Sequence, residues 1–220
     1  MRNTPTRDQI LDAAERLFAA QGFARTTVKQ IGGEAGVNSA LLYYYFGDKE
    51  RLYHEVLQRL VGGLVDRTMT QLEAGGDPAT RLRRFVAAQA EALASRPAFP
   101  KLIMRELVDH DAAHAVAQVR RLSATSFRRL CQLVEEGQRA AVFRPDLDPR
   151  FAAVSIVAQL AHFFMAWPAI RVLLDAKPAV PPAETVRDFA RHAAEFALAA
   201  LLVPDGRTAG KTSPRIRSAR

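Results

Sequence analysis

An all-α fold, with a short three-helix unit at the N-terminus and a longer helical body behind it, is what this sequence predicts. Three observations carry the prediction. Apolar residues recur at helical spacing, no run alternates as a half-buried strand would, and proline and glycine clusters cut the chain into helix-length blocks. Its 220 residues, 49% apolar and 25% charged, are enough to bury a sizeable core, and no solenoid-like repeat is present.

The first block, "TPTRDQILDAAERLFAAQGF", places Ile10, Ala14, Leu17 and Phe18 on one face. Thr6 and Gln9 have the spacing of a capping box, and Gly22 supplies a stop. The second block repeats the device with Thr27 and Gln30, but is short and contains Gly32 and Gly33. Two interior glycines cost roughly 1–2 kcal/mol against alanine, so tertiary packing must hold it. Asn38 caps the third block, with Val37 and Leu42 at the positions of a hydrophobic staple. Gly47 ends that block, and Asp48 caps a long helix from Lys49 to about residue 74. Further helices are expected over roughly 79–95, 98–110, 112–140, 149–174 and 183–203, joined by "SRPAFP", "VFRPDLDP" and "DAKPAVPPAE". Residues 204–220 lack apolar periodicity and read as a disordered basic tail.

Two short helices joined by a tight turn containing Gly36 match a helix-turn-helix. Ile31, Ala35, Val37, Leu42 and Phe46 would form its internal core, with Leu42 and Phe46 on one inward face. That rotation sends Asn38, Ser39, Ala40, Tyr43 and Tyr44 toward the side that meets a DNA groove. Hydroxyls on Ser39 and the tyrosines suit phosphate oxygens, and Ala40 is small enough to approach a thymine methyl. Thr26, Thr27 and Lys29 at the start of the second helix, and Lys49 at the start of the fourth, lie where helix N-termini favour phosphate.

The stretch "TTVKQIGGEAGVNSALLYYYFGDKERLYHEVL", Thr26 to Leu57, resembles the DNA-binding region of TetR-family transcriptional regulators. The matching elements are the paired threonines, Ile31, Ala35-Gly36-Val37, Leu42-Tyr43, Phe46 and Lys49-Glu50 followed by Leu52. Two positions depart from the pattern: the usual Ile-Ala is Ile31-Gly32, and the frequent His-Phe is Tyr45-Phe46. Tyr45 is left between a phosphate contact and packing against the first helix.

The resemblance implies residues 1–50 as a DNA-binding domain, 51–203 as an effector-binding and dimerisation domain, and double-stranded operator DNA as partner. It implies a homodimeric, ligand-responsive repressor released from a palindromic operator by a small effector, with no cofactor and no enzymatic activity. Activation in place of repression stays open, since that depends on where the operator lies. No nucleophile elbow, His-Glu-x-x-His or phosphate-cradling loop argues for an enzyme. The remaining alternative is a helical ligand-binding or scaffold protein without DNA recognition, for which only Gly32-Gly33 speaks.

Bulk charge adds little to the DNA reading. Of the net +8, residues 1–60 contribute +1, residues 61–203 contribute +3 and the tail +4. The single cysteine excludes an internal disulfide framework, and with no visible signal peptide the chain is expected in the cytoplasm. "FAAVSIVAQLAHFFMAWPAIRVLL" is long and apolar, but Gln159, His162, Pro168 and Arg171 interrupt it. It reads as a helix buried in a core or an oligomer interface, not as a membrane span. With the Ala-rich "ETVRDFARHAAEFALAALL" it is the expected dimer interface.

Met104, Phe127, Cys131, His162, Phe163, Phe164 and Trp167 are the candidate walls of a pocket for an apolar effector. Each of them also suits plain core. Glu106, His110 and His114 fall at i, i+4 and i+8, and on an unbroken helix the histidines would share a face fit for zinc or nickel. "DHDAAHA" reads more readily as a solvated junction between helices, so no metal is assigned.

Overall fold

A computed structural model describes residues 7–203. The described chain is helical, without strands. Its helices are α1 (Arg7–Arg25), α2 (Val28–Ala35), α3 (Ser39–Phe46), α4 (Lys49–Glu73), α5 (Pro78–Ala94) and α6 (Ala98–His110), then α7 (Val116–Leu122), α8 (Arg128–Arg139), α9 (Pro149–Met165), α10 (Trp167–Leu173) and α11 (Ala183–Leu201).

Helix α1 buries Ile10, Ala14 and Phe18, as its spacing requires, and kinks at Gly22, whose φ of 82° suits a residue without a Cβ. Thr6 lies outside the described residues. Both halves of the Thr27–Gln30 capping box are present at the start of α2. Gly36 closes that helix in the left-handed region, with φ 71°. Gly32 has a steric reason: a Cβ there would lie 2.8 Å from the Val37 carbonyl oxygen, which the turn brings against the helix. Asn38 Oδ1 accepts from the Leu41 amide at 3.0 Å to start α3, and Asp48 Oδ1 accepts from the Arg51 amide at 2.7 Å to start α4.

Helix α4 runs out of the first three and into the body, packing on α1 and on α5. Helix α5 in turn lies against α11, while α6 reaches back onto α1. The core is continuous from Ile10 in α1 to Leu201 in α11.

Two expected helices differ from the reading. The helix placed over 112–140 begins only at Val116, after Asp111 and Ala112 take φ 49° and 62°, and passes through a π turn, Ser123–Phe127, before α8. The helix placed over 149–174 breaks at Ala166 into α9 and α10, which meet at 83°. Pro168 explains the break: it has no amide to offer the Phe164 carbonyl, and it sits in the first turn of α10 where none is needed. Among the described residues no single helix is long and apolar enough to cross a membrane. Nor is α9 buried all round, since Phe151, Val154 and His162 are exposed. The tail, 204–220, lies outside the described residues.

Candidate DNA-binding surface

Helix α3 has eight residues and buries only Leu42 and Phe46. With those two facing in, Tyr43 is 54% exposed, Tyr44 80% and Tyr45 38%. Asn38 and Ala40 are also exposed, and Ser39 is half-buried. The Tyr44 and Tyr45 rings meet edge to face at 5.4 Å, and Tyr45 leans on Phe46 at 6.2 Å. Three phenols therefore stand at the surface of one short helix, and among the described residues Tyr43 and Tyr44 are not part of the core.

The flanking residues divide. Lys29 is exposed on α2, and Thr27 is exposed with its hydroxyl committed to the Gln30 amide. Thr26, expected at the DNA face, is fully buried: its Oγ1 donates to the Gly22 carbonyl at 2.7 Å. The kink at Gly22 leaves that carbonyl outside the helical ladder, and Thr26 satisfies it. Lys49 is half-buried, and its Nζ donates to the carbonyls of Phe23 (3.0 Å) and Thr26 (3.1 Å) while lying 4.3 Å from the Phe23 ring centre. It ties the start of α4 to the end of α1. Arg51, overlooked in the sequence, is the more exposed cation here, on the first turn of α4 beside Gly47. Its place one turn after the Asp48 cap was a usable signal.

The seven candidate pocket residues do not converge on one chamber. Met104 and His162 are exposed. Each sits two residues, about 200° of helix, from an inward residue, Leu102 and Leu160 respectively. Phe163 stacks on Phe189 at 4.0 Å and Cys131 is buried, its thiol pushed up by burial. Phe164 and Trp167 border a cavity of about 130 Å³ with Leu93 and Pro100. Phe127 borders a separate one of about 50 Å³, with Phe85, Thr68 and Gln89. Gln89 is 4% exposed and its Oε1 has no hydrogen-bond partner. The helix junction expected at "DHDAAHA" is present, since α6 ends at His110 and Asp109, Asp111 and Ala113 are exposed, yet Glu106, His110 and His114 come together and Glu106, one turn back, is 1% exposed.

An exposed aromatic helix, set by a tight turn against a second short helix and backed by a third, defines a helix-turn-helix DNA-binding protein with a helical body. Residues 10–56 match the family model described as "Bacterial regulatory proteins, tetR family", and residues 78–193 match "Tetracyclin repressor-like, C-terminal domain". The chain belongs to the TetR family: it is a DNA-binding transcriptional regulator and not an enzyme. It is 32% identical to the HTH-type transcriptional repressor NicS of Pseudomonas putida over 72% of this chain and 75% of that one. It is 31% identical to the HTH-type transcriptional repressor KstR2 of Rhodococcus jostii, over 75% and 78% respectively. Among solved structures, the fold is similar to the FadR of Bacillus subtilis in complex with stearoyl-CoA, with TM-score 0.72 and 19% identity over 89% of this chain and 99% of that one. It is also similar to a transcriptional regulator from Saccharomonospora viridis in complex with choline, with TM-score 0.69 and 22% identity over 90% and 97%.

Proposed function

We propose that this regulator represses transcription as a two-fold dimer on a palindromic operator and leaves it when a small, apolar effector enters the body. Residues 1–50 act as the DNA-binding domain and 51–203 as the effector-binding and dimerisation domain. The observation that carries the reading is the exposure of Tyr43 and Tyr44 beside buried Leu42 and Phe46, on the helix that would lie in the major groove. Tyrosine hydroxyls there donate to phosphate, with Ser39 and Ala40 nearest the bases.

The dimer face is the side of α9 and α11 that the protomer leaves open. Phe151 is 71% exposed and Phe196 61%, and they flank a groove of about 430 Å³ with Ala152, Ser155 and Ala200. Aromatic rings beside small residues suit close helix packing across a two-fold axis. For the effector, the cavity at Phe127 and Gln89 combines apolar walls with an unsatisfied buried amide oxygen, the polar handle a ligand would use. At about 50 Å³ it must widen to admit a ligand, and Leu64 and Thr68 on its wall belong to α4, which leads directly to the DNA-binding helices. Acyl-CoA and choline complexes among the structural neighbours show how varied the ligands of this fold are.

A mobility shift on DNA flanking its own gene tests the reading. Tyr43→Ala and Tyr44→Ala should each weaken specific binding by about tenfold and leave the melting temperature unchanged. A folded dimer that binds no such DNA specifically, or variants that bind as well as the parent, would sink it.

A further inference from the structure

We propose that Glu106, His110 and His114 form a binding site for one divalent transition-metal ion of the zinc class, where α6 meets α1 and α4.

The chain has five histidines, and three of them gather here: the His110 and His114 rings are 4.7 Å apart, and His54 lies 5.9 Å from His114. One ligand atom from each of Glu106, His110 and His114 lies within 4.8 Å of the others. Tetrahedral zinc with bonds of about 2.0–2.1 Å holds its nitrogen and oxygen ligands roughly 3.4 Å apart. Glu106 Oε2 and His114 Nδ1 are already at 3.3 Å. The remaining separations, within 4.8 Å, must shorten as the ion binds. Two imidazoles and one carboxylate select zinc, nickel or cobalt over magnesium and calcium, which prefer oxygen alone. Three protein ligands leave a position for water.

Charge makes the stronger case. Two glutamates are buried among the described residues, Glu15 at 7% exposure and Glu106 at 1%. Glu15 is met by two guanidinium groups, Arg59 at 2.8 Å and Arg96 at 2.9 Å. Among the described residues Glu106 makes no ion pair with lysine or arginine; it accepts from the Tyr53 hydroxyl at 2.9 Å and the His114 amide at 2.7 Å, and meets the His114 ring at 3.3 Å, a partner that is cationic only when protonated. Arg105, the next residue, donates instead to the carbonyls of Ala19 and Ala20. A buried carboxylate needs a compensating positive charge. A dication bound across the three side chains supplies it.

The surroundings fit a coordination site. Tyr53 and the His114 backbone fix the carboxylate, as outer-shell donors do for metal ligands. The left-handed turn at Asp111 and Ala112 folds the chain back so that His114 covers the end of α6. The same cluster touches α1 and α4, the helices that flank α2 and α3: His114 lies 5.0 Å from the Phe23 ring, whose face carries the Lys49 ammonium, and Tyr53 meets Phe18 at 4.8 Å. An ion here would brace α6 against the turn that carries His114, beside Tyr53 of α4.

Tag-free, full-length protein stripped with chelator and titrated with Co²⁺ tests the proposal without DNA or effector. The parent should develop the visible absorption of cobalt bound to nitrogen and oxygen, saturate at one equivalent per chain and lose the signal to Zn²⁺. His110→Ala and His114→Ala should each weaken cobalt binding at least tenfold, while His192→Ala, on α11, should match the parent. His110→Ala removes a half-buried ring and leaves Glu106 with its Tyr53 bond, so it remains decisive if His114→Ala fails to fold. Absence of cobalt absorption in the parent, or undiminished affinity in folded His110→Ala, would overturn the site.

Discussion

Helices α2 and α3 have eight residues each and bury two apiece, Ile31 and Gly32 in one, Leu42 and Phe46 in the other. Helices α5 and α11 have 17 and 19 residues and bury eight and seven. The first pair is too short to persist on its own, and its order comes from local devices: a capping box, the Asn38 cap and the left-handed Gly36. The second pair is held by shared apolar surface, with Ala190, Ala193, Ala194 and Ala197 letting α11 sit close to its neighbours. The difference teaches where each region is vulnerable. Polar and conformational changes act on the DNA-binding helices, and volume changes act on the body.

Four substitutions break or sharpen that contrast. The largest effect is expected at the open face of the body, where Phe196→Glu should leave a folded monomer by sedimentation and reduce operator affinity by about 100-fold or more, since two linked heads bind far better than one. Next comes volume. A Cβ on Gly137 would lie 2.0 Å from the ring of Phe143, which is fully buried, so Gly137→Ala should lower stability by about 3 kcal/mol in urea denaturation. A loss near zero would mean that the body repacks freely around Phe143. Asn38→Ala should cost about 1 kcal/mol and speed hydrogen exchange at the Leu41 amide, with no change in the body.

The smallest effect is a matter of pH. The Arg150 guanidinium and amide hold the Asp148 carboxyl down to about 2, against an ordinary value of 3.8. A depressed carboxyl contributes stability above its unfolded value and loses it as pH falls through the folded one. Asp148→Asn keeps a capping oxygen but not the charge. The stability advantage of the parent over this variant should thus be present at pH 5 and shrink between pH 4 and 2, as read by thermal melts.

The same contrast decides what was legible. Caps at Thr27, Asn38 and Asp48 are written within three or four residues, so α2, α3 and the start of α4 could be placed from sequence, and with them the outward turn of Tyr43 and Tyr44. Thr26 and Lys49 could not be assigned that way. Thr26 turns inward because the Gly22 kink frees a carbonyl, and Lys49 because the chain after α1 brings the Phe23 and Thr26 carbonyls to it, facts of three dimensions. The Ala166 break could have been taken from Pro168, but the apolar run around it outweighed one proline. Pocket residues were the least legible, because inward and outward faces of α6 and α9 are both rich in large apolar side chains. The spacing of Glu106, His110 and His114 was visible in the sequence, but the left-handed turn without glycine that keeps His114 beside them after α6 ends was not.

Lys49 carries one further consequence. Its ammonium already rests on two peptide oxygens and an aromatic face in the free protein. In the proposed complex Lys29 and Arg51, exposed in the free protein although Arg51 meets Asp48 at 3.6 Å, would displace condensed counter-ions from the double helix, and each would steepen the fall of affinity as salt rises. Lys49, already committed within the protein, should add almost nothing to that slope. Counting the lysines and arginines near the groove would thus overstate the ionic sensitivity of this regulator, and a lysine that looks electrostatic in the alphabet works here as a clamp.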